Sequence, residues 1–149
     1  MGGGRDRVKF YGGAPGGRFD GGKGTDKFYY YRSYEHLPRR AAILFDMASG
    51  LLRDAWAGGA TTRRAVHFEN TYVFNLGVGS GSVRIKGTSG SNRLRVRGPT
   101  ATLHGRGGDD RLYGSWGDDM LVGGPGNDVA TGKGGTDRCD AEVRLACEP

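Results

Sequence analysis

Large apolar residues return at a fixed interval of nine through the second half of the chain: Leu76, Ile85, Leu94, Leu103, Leu112 and Leu121, followed in the same phase by the smaller Ala130 and Cys139. One apolar position in nine cannot make the continuous stripe of an amphipathic helix or the alternation of a long strand. It suits short strands, one around places six to eight of each nine. The polar positions obey the same period. Residues 105–140 divide into four nines, GRGGDDRLY, GSWGDDMLV, GGPGNDVAT and GKGGTDRCD. Glycine opens each at Gly105, Gly114, Gly123 and Gly132 and recurs in fourth place at Gly108, Gly117, Gly126 and Gly135. Aspartate is sixth every time, at Asp110, Asp119, Asp128 and Asp137. A period of this kind marks a repeat architecture.

Less regular nines carry the phase backwards, so that it covers residues 69–140, with Asn92 in the sixth place of GTSGSNRLR. Further upstream, GGKGTDKFY at 21–29 matches fully, with Asp26 and Phe28, and MGGGRDRVK at 1–9 supplies Asp6 and Val8. Between them GGAPGGRFD keeps only the outline, after the two-residue insertion Phe10–Tyr11. The expected division of this single domain is therefore 1–29 N-terminal repeats, 30–68 irregular coils, 69–104 degenerate repeats, 105–140 full repeats and 141–149 a C-terminal cap. Within 30–68, AILFDM and RAVHFEN have strand-like apolar content, and a short helix around Ser49–Ala57 is the alternative.

The four nines resemble GGxGxDxUx, with U a large apolar residue, the nonapeptide of RTX (hemolysin-type) calcium-binding β-rolls. The resemblance implies an all-β, right-handed parallel β-roll or β-helix solenoid with Ca²⁺ in its Gly/Asp-rich turns. Two nines make one coil, the sixth and eighth side chains face inward, and residues eighteen apart stack. Asp110 would then pair with Asp128, and Asp119 with Asp137, as calcium ligands. Calcium takes about six to eight oxygens, so turn carbonyls near the second and fourth places would complete the set: Arg106, Gly108, Ser115, Gly117, Gly124, Gly126, Lys133 and Gly135. Side chains at second place are tolerated in this reading because only the carbonyl is needed. Asn92 before Asp110, and Asp6 with Asp26 twenty apart, form a second rank of candidates; the latter pair needs the insertion to bulge outward. The resemblance also implies secretion from a bacterium and folding coupled to Ca²⁺. Two stacked carboxylates repel each other without a cation, and glycine-rich turns are costly to order.

Composition agrees with a thin fold. Thirty glycines and 36% hydrophobic residues leave little with which to build a thick core. Twenty-two Lys and Arg against sixteen Asp and Glu give a net charge of +6, spread along the chain without a long basic run. That is a solubilising surface rather than a nucleic-acid site. No apolar stretch is long enough to span a bilayer. Cys139 and Cys147 stand close together near the C-terminus; they suit one terminal disulfide closing a cap and an oxidising, extracellular setting, although two cysteines alone could equally be free thiols.

Catalytic chemistry is not expected. His36, His67 and His104 are scattered without a metalloprotease motif or a partnered nucleophile, and His67 reads as a half-buried strand residue. GRFDGGKG at 17–24 imitates a phosphate-binding loop, but glycine follows Lys23 where Ser or Thr belongs, and strand-like KFYYY follows where a helix is needed. The rival to a calcium-dependent folding module is a module binding acidic polysaccharide, attached to a larger secreted protein. Coils of eighteen would set Arg93, Arg95, Arg111 and Tyr113 on one face and Arg84, Lys86 and His104 on the other, with Tyr29, Tyr30, Tyr31 and Tyr34 available for stacking.

Overall fold

The computed structural model describes residues 3–11, 17–32, 42–56, 59–75 and 81–148. Leu76, Tyr34, His36 and part of the nine at 12–20 lie outside the described residues. Seventeen strands and no helix make up the described residues. The first five are β1 (Gly3–Gly4), β2 (Arg7–Tyr11), β3 (Arg18–Asp20), β4 (Lys23–Gly24) and β5 (Lys27–Arg32). Three longer strands follow, β6 (Ala42–Asp46), β7 (Leu51–Trp56) and β8 (Gly59–Val66). Then come β9 (Asn70–Asn75), β10 (Ser82–Lys86), β11 (Arg93–Arg97), β12 (Thr100–His104), β13 (Arg111–Tyr113), β14 (Met120–Val122), β15 (Val129–Thr131), β16 (Arg138–Asp140) and β17 (Val143–Leu145).

From β9 onward consecutive strands alternate between two sheets. Even-numbered strands join an eight-stranded sheet ordered β16-β14-β12-β10-β6-β7-β8-β3, and odd-numbered ones a seven-stranded sheet ordered β17-β15-β13-β11-β9-β5-β2. β1 and β4 form a separate parallel pair. Pairings through the repeats are parallel and stack Leu94 on Leu112 and Ala130, and Leu103 on Leu121 and Cys139. Each strand from β13 to β16 spans a repeat's seventh to ninth places, one later than the expected six to eight, and only its central side chain is fully buried. Strands this short bury one residue each, so the core is a pair of narrow ladders one side chain wide.

The eighteen-residue step does not reach as far back as the apolar period suggests. β11 pairs with β9 so that Leu94 stands opposite Thr71, and β10 pairs with β6 so that Ile85 stands opposite Phe45. Thr71 and Val73, both buried, fill the interior of that coil. Inward facing is set by register with the neighbouring strand, so a phase read from the sequence cannot continue once a coil changes length.

Among the described residues between 42 and 66 the chain forms neither irregular coils nor the helix considered around 49–57. β6, β7 and β8 make an antiparallel meander, with the first reversal ending at Gly50 (φ +70°). A Cβ there would lie 2.3 Å from Val66 Cγ1 and 2.9 Å from the Ala65 carbonyl oxygen, so the turn requires glycine. The β7 strand turns Asp54 inward, where it pairs with Arg32 and accepts the Tyr30 hydroxyl proton in a hydrogen bond. Burial and Asp54 together push the Tyr30 phenol well above its ordinary range. Around this polar group the N-terminal core is aromatic: Phe28 packs against Phe19, Phe45 and Phe68, and Phe10 against Phe19 and Tyr30.

β2 stays in register with β5 along its whole length, Phe10 opposite Tyr30 and Tyr11 opposite Tyr31. The Phe10–Tyr11 insertion therefore does not bulge; both residues continue the strand. His67 is exposed, in a left-handed conformation (φ +57°) just beyond β8, and its Nδ1 lies 2.6 Å from Asp20 Oδ1. It is not the half-buried strand residue its neighbours imply. The hydrogen bond from His67, with lesser help from Arg18, holds the Asp20 carboxyl below its usual range.

Candidate calcium-binding turns

The sixth-place side chains form two columns, one along each edge where the chain crosses between sheets. Along the first edge the turns 87–92, 105–110 and 123–128 lead from the eight-stranded to the seven-stranded sheet. Along the second, the turns 114–119 and 132–137 lead back. All four sixth-place aspartates are at least 96% buried, as are Asn92 and Asp26.

Each carboxylate is fixed by a main-chain donor one coil away. Asp110 Oδ1 accepts from the Asn92 amide at 2.7 Å, Asp128 Oδ1 from the Asp110 amide at 2.8 Å and Asp137 Oδ1 from the Asp119 amide at 2.9 Å. Asp119 Oδ1 accepts from the Ala101 amide. The pattern continues at the N-terminal end, where Asp26 Oδ1 accepts from the Asp6 amide at 2.7 Å. A strand-starting amide that points along the stack would otherwise be an unsatisfied buried donor, so the sixth place needs a short acceptor whether or not a metal is present.

Three glutamates outside the sixth places do the same work. Glu69 accepts from the Asp26 amide at 2.6 Å, Glu142 from the Asp128 amide at 2.7 Å and Glu148 from the Asp137 amide. Glu142 and Glu148 thereby close both columns at the C-terminal end, beside the disulfide that Cys139 forms with Cys147. Asp140, the last residue of the full repeats, is exposed. The sequence signal for these glutamates is weak: they stand off the repeat phase, and one extra methylene lets them reach a column that aspartate reaches only from sixth place.

The second carboxylate oxygen folds back over the first-place glycine of its own turn. A Cβ on Gly105 would lie 1.9 Å from Asp110 Oδ2 and 2.7 Å from the Gly123 carbonyl oxygen. One on Gly123 would lie 2.2 Å from Asp128 Oδ2. First-place glycine thus makes room for oxygen atoms. On the first edge the carbonyl oxygens of Arg106 and Gly108 lie against the next turn, 2.0 Å from where a Cβ on Gly124 would be and 2.3 Å from one on Gly126.

Among the described residues no three acidic, histidine or cysteine side chains gather into a metal-holding group. Any ion in these turns must take part of its shell from main-chain carbonyls, and such a donor set is all oxygen. Four buried carboxylate oxygens identify where it is wanted: Asp110 Oδ2 and Asp128 Oδ2 have no hydrogen-bond partner, and neither do Asp6 Oδ2 and Asp26 Oδ2. An unpartnered buried carboxylate oxygen is expensive, and a hard dication satisfies it. Burial above all, helped by the neighbouring Asp128 and Asp109 carboxylates and opposed by the Asn92 hydrogen bond, pushes Asp110 up to about 7.

Elsewhere the columns are better satisfied. Asn92 Oδ1 accepts from the Thr88 amide at 2.6 Å, and its Nδ2 donates to the Glu69 carbonyl at 3.0 Å. Asp119 Oδ2 accepts from the Ser115 amide, and the Ser115 hydroxyl lies 3.0 Å from Asp119 Oδ1. Burial raises Asp119 against these hydrogen bonds and Lys133; it also raises Asp137, to which the Asp119 and Glu148 charges add.

Parallel repeats whose turns carry stacked, buried carboxylates among carbonyl oxygens define a repeat protein suited to a hard cation. The chain's similarity to known families gives that class a name: residues 101–130 and 113–142 match the RTX calcium-binding nonapeptide repeat. Nonapeptide repeats of this family bind Ca²⁺, and they are typical of secreted bacterial proteins. No curated protein matches the chain. Among the described residues no helix is long and apolar enough to cross a membrane.

Proposed function

We propose that the chain is a right-handed parallel β-roll that serves as a secreted, non-catalytic module of a bacterial protein, ordered by extracellular calcium. The handedness follows from the strong preference of parallel crossovers for right-handed connections. The observation that carries the reading is the pair of buried, unpartnered oxygens Asp110 Oδ2 and Asp128 Oδ2. These two aspartates, with carbonyls of the adjoining turns such as Arg106 and Gly108, are the ligands best supported. Asp119 and Asp137, with Gly117 and Gly135, are the second pair that the repeats suggest and have less support, because Ala101 and Ser115 already supply donors to both Asp119 oxygens; Asp6 and Asp26 keep unpartnered oxygens as the first pair does. Extracellular calcium modules bind at about 10⁻⁴–10⁻³ M, an affinity that leaves the repeats empty inside a cell and filled outside it.

The test is a calcium titration followed by far-UV circular dichroism, with Asp110→Ala and Asp128→Ala beside the parent. A gain of β signal that both substitutions weaken is expected. A chain fully folded in chelator and indifferent to calcium would remove the ion from its function.

One observation favours a second reading, the binding of acidic polysaccharide: Arg93, Arg95, Arg97 and Arg111 lie exposed along β11 and β13 on one face. The adjacent rings weaken it. Tyr31 stacks on Tyr11 and Phe74, and Tyr29 on Tyr72, with centroids 4.7–5.0 Å apart, so most of their faces are already covered. Retention on heparin or alginate that survives moderate salt would support it, whereas loss in mild salt would indicate diffuse charge.

A further inference from the structure

The two turn edges carry the same aspartates but not the same surroundings, and the difference lies in the second residue of each nine. Lys133 holds that place in the turn 132–137, with φ +104°, a conformation in which a side chain is strained. Its ammonium donates to the carbonyl of Gly114, the first residue of the turn one coil earlier. The side chain therefore bridges from the turn that carries Asp137 to the turn that carries Asp119. Asp119 has no unpartnered oxygen there, because Ala101 and Ser115 supply donors to both.

On the other edge the equivalent of Lys133 is Gly124, with φ +107° and no side chain. Nothing basic enters between the turns 105–110 and 123–128 from that place, and here Asp110 and Asp128 each keep an unpartnered oxygen. A groove of about 630 Å³ opens beside Asp110, lined by Asp109 and Asn127 but also by Arg5, Lys27, Arg93 and Arg111. One coil earlier on the same edge a basic second-place residue returns. Arg106, φ +85°, donates to the Gly87 carbonyl at 3.0 Å and to Asp46 Oδ2 at 3.1 Å. It closes the gap above Asn92, whose amide brings no charge for an ion.

We infer that second-place chemistry decides which gaps hold calcium: glycine at 124 leaves the Asp110–Asp128 gap for the ion, whereas the Lys133 ammonium stands in for it between Asp119 and Asp137. The inference rests on the calcium reading for its first half only. A tethered ammonium brings one charge and hydrogen-bond donors to the carbonyl that a dication would otherwise engage. The C-terminal edge is then held by the chain itself, next to the disulfide, and calcium controls the edge opposite.

Counting bound ions on the full chain by isothermal titration calorimetry tests this. Asp128→Asn should lose one calcium relative to the parent, and Asp137→Asn should lose none. Lys133→Gly, which suits the backbone conformation, should gain one. A parent that loses an ion on Asp137→Asn, or a Lys133→Gly variant with no added site, would overturn the inference. Thermal melts in chelator separate this from a failure of the calcium reading itself. Lys133→Met should melt several degrees below the parent and Lys133→Arg close to it, whether or not any calcium binds. If the parent binds no calcium, the calcium reading fails, and equal melting of all three chains would dismiss the tethered cation as well.

Discussion

The two halves of the molecule reach the same parallel stacking by different means. Residues 18–75 fill the space between the sheets with Phe19, Phe28, Tyr30, Phe45 and Phe68, and enclose a buried ion pair between Arg32 and Asp54. Residues 93–140 have no aromatic side chain in the core; single leucines stack along it and shrink to Ala130 and Cys139. What the second half has instead is a column of buried turn aspartates on each edge, Asp110 with Asp128 and Asp119 with Asp137, where the first half has Asp26. Its neighbour can be held by apolar burial, at roughly 25 cal/mol per Å². The repeat half buries about one large side chain per nine residues while ordering its most flexible ones, so on the calcium reading an external or tethered cation supplies the rest. Calcium dependence is thus expected to be stronger in the repeat half than in the aromatic one.

Several substitutions would break or sharpen that contrast. Phe28→Ala should cost about 3–5 kcal/mol, measured by urea unfolding, and the cost should be the same with calcium or chelator. Leu112→Ala should cost about 2–5 kcal/mol in calcium and markedly less in chelator, where its surroundings are looser. A Leu112 effect that persists undiminished without calcium would make the halves alike. Cys139→Ser, which opens a nine-residue loop, should cost about 2.5 kcal/mol on loop-closure grounds. It should show as a lower melting temperature of the repeat half alone.

The smallest effect concerns pH. With no metal bound, Asp110 titrates at about 7 when folded against 3.8 when free. A group with its folded pKa raised contributes stability that is complete below the lower value and is lost as pH rises through the upper one. Metal-stripped protein should therefore melt a few degrees higher at pH 5 than at pH 7.5. Calcium should remove or reverse the trend, because it favours the ionised carboxylate. A flat profile without metal would mean that the carboxylate is better solvated than its burial implies.

Much of the repeat half was legible because its period is strict. Fixing Leu112 in eighth place fixes Leu94 beneath it and places Asp110 inside, two residues away on the same face. The meander was not legible. AILFDM and LLRDAW alternate well enough for strands, but nothing local says that their pairing is antiparallel, or that Asp54 turns inward to meet Arg32 across the core. Glu69, Glu142 and Glu148 were missed because their role depends on reach rather than phase. Arg106 and Lys133 were read only as tolerated side chains at carbonyl-donating positions; where those side chains go is decided by the turn one coil away, which no window of nine contains.

Hydrogen exchange measured peptide by peptide on the full chain, in millimolar calcium and then in chelator, tests the central claim most directly. Protection of residues 105–130 that falls sharply in chelator, while residues 42–66 keep theirs, is the predicted result. Equal protection of both segments in the two conditions would contradict the account.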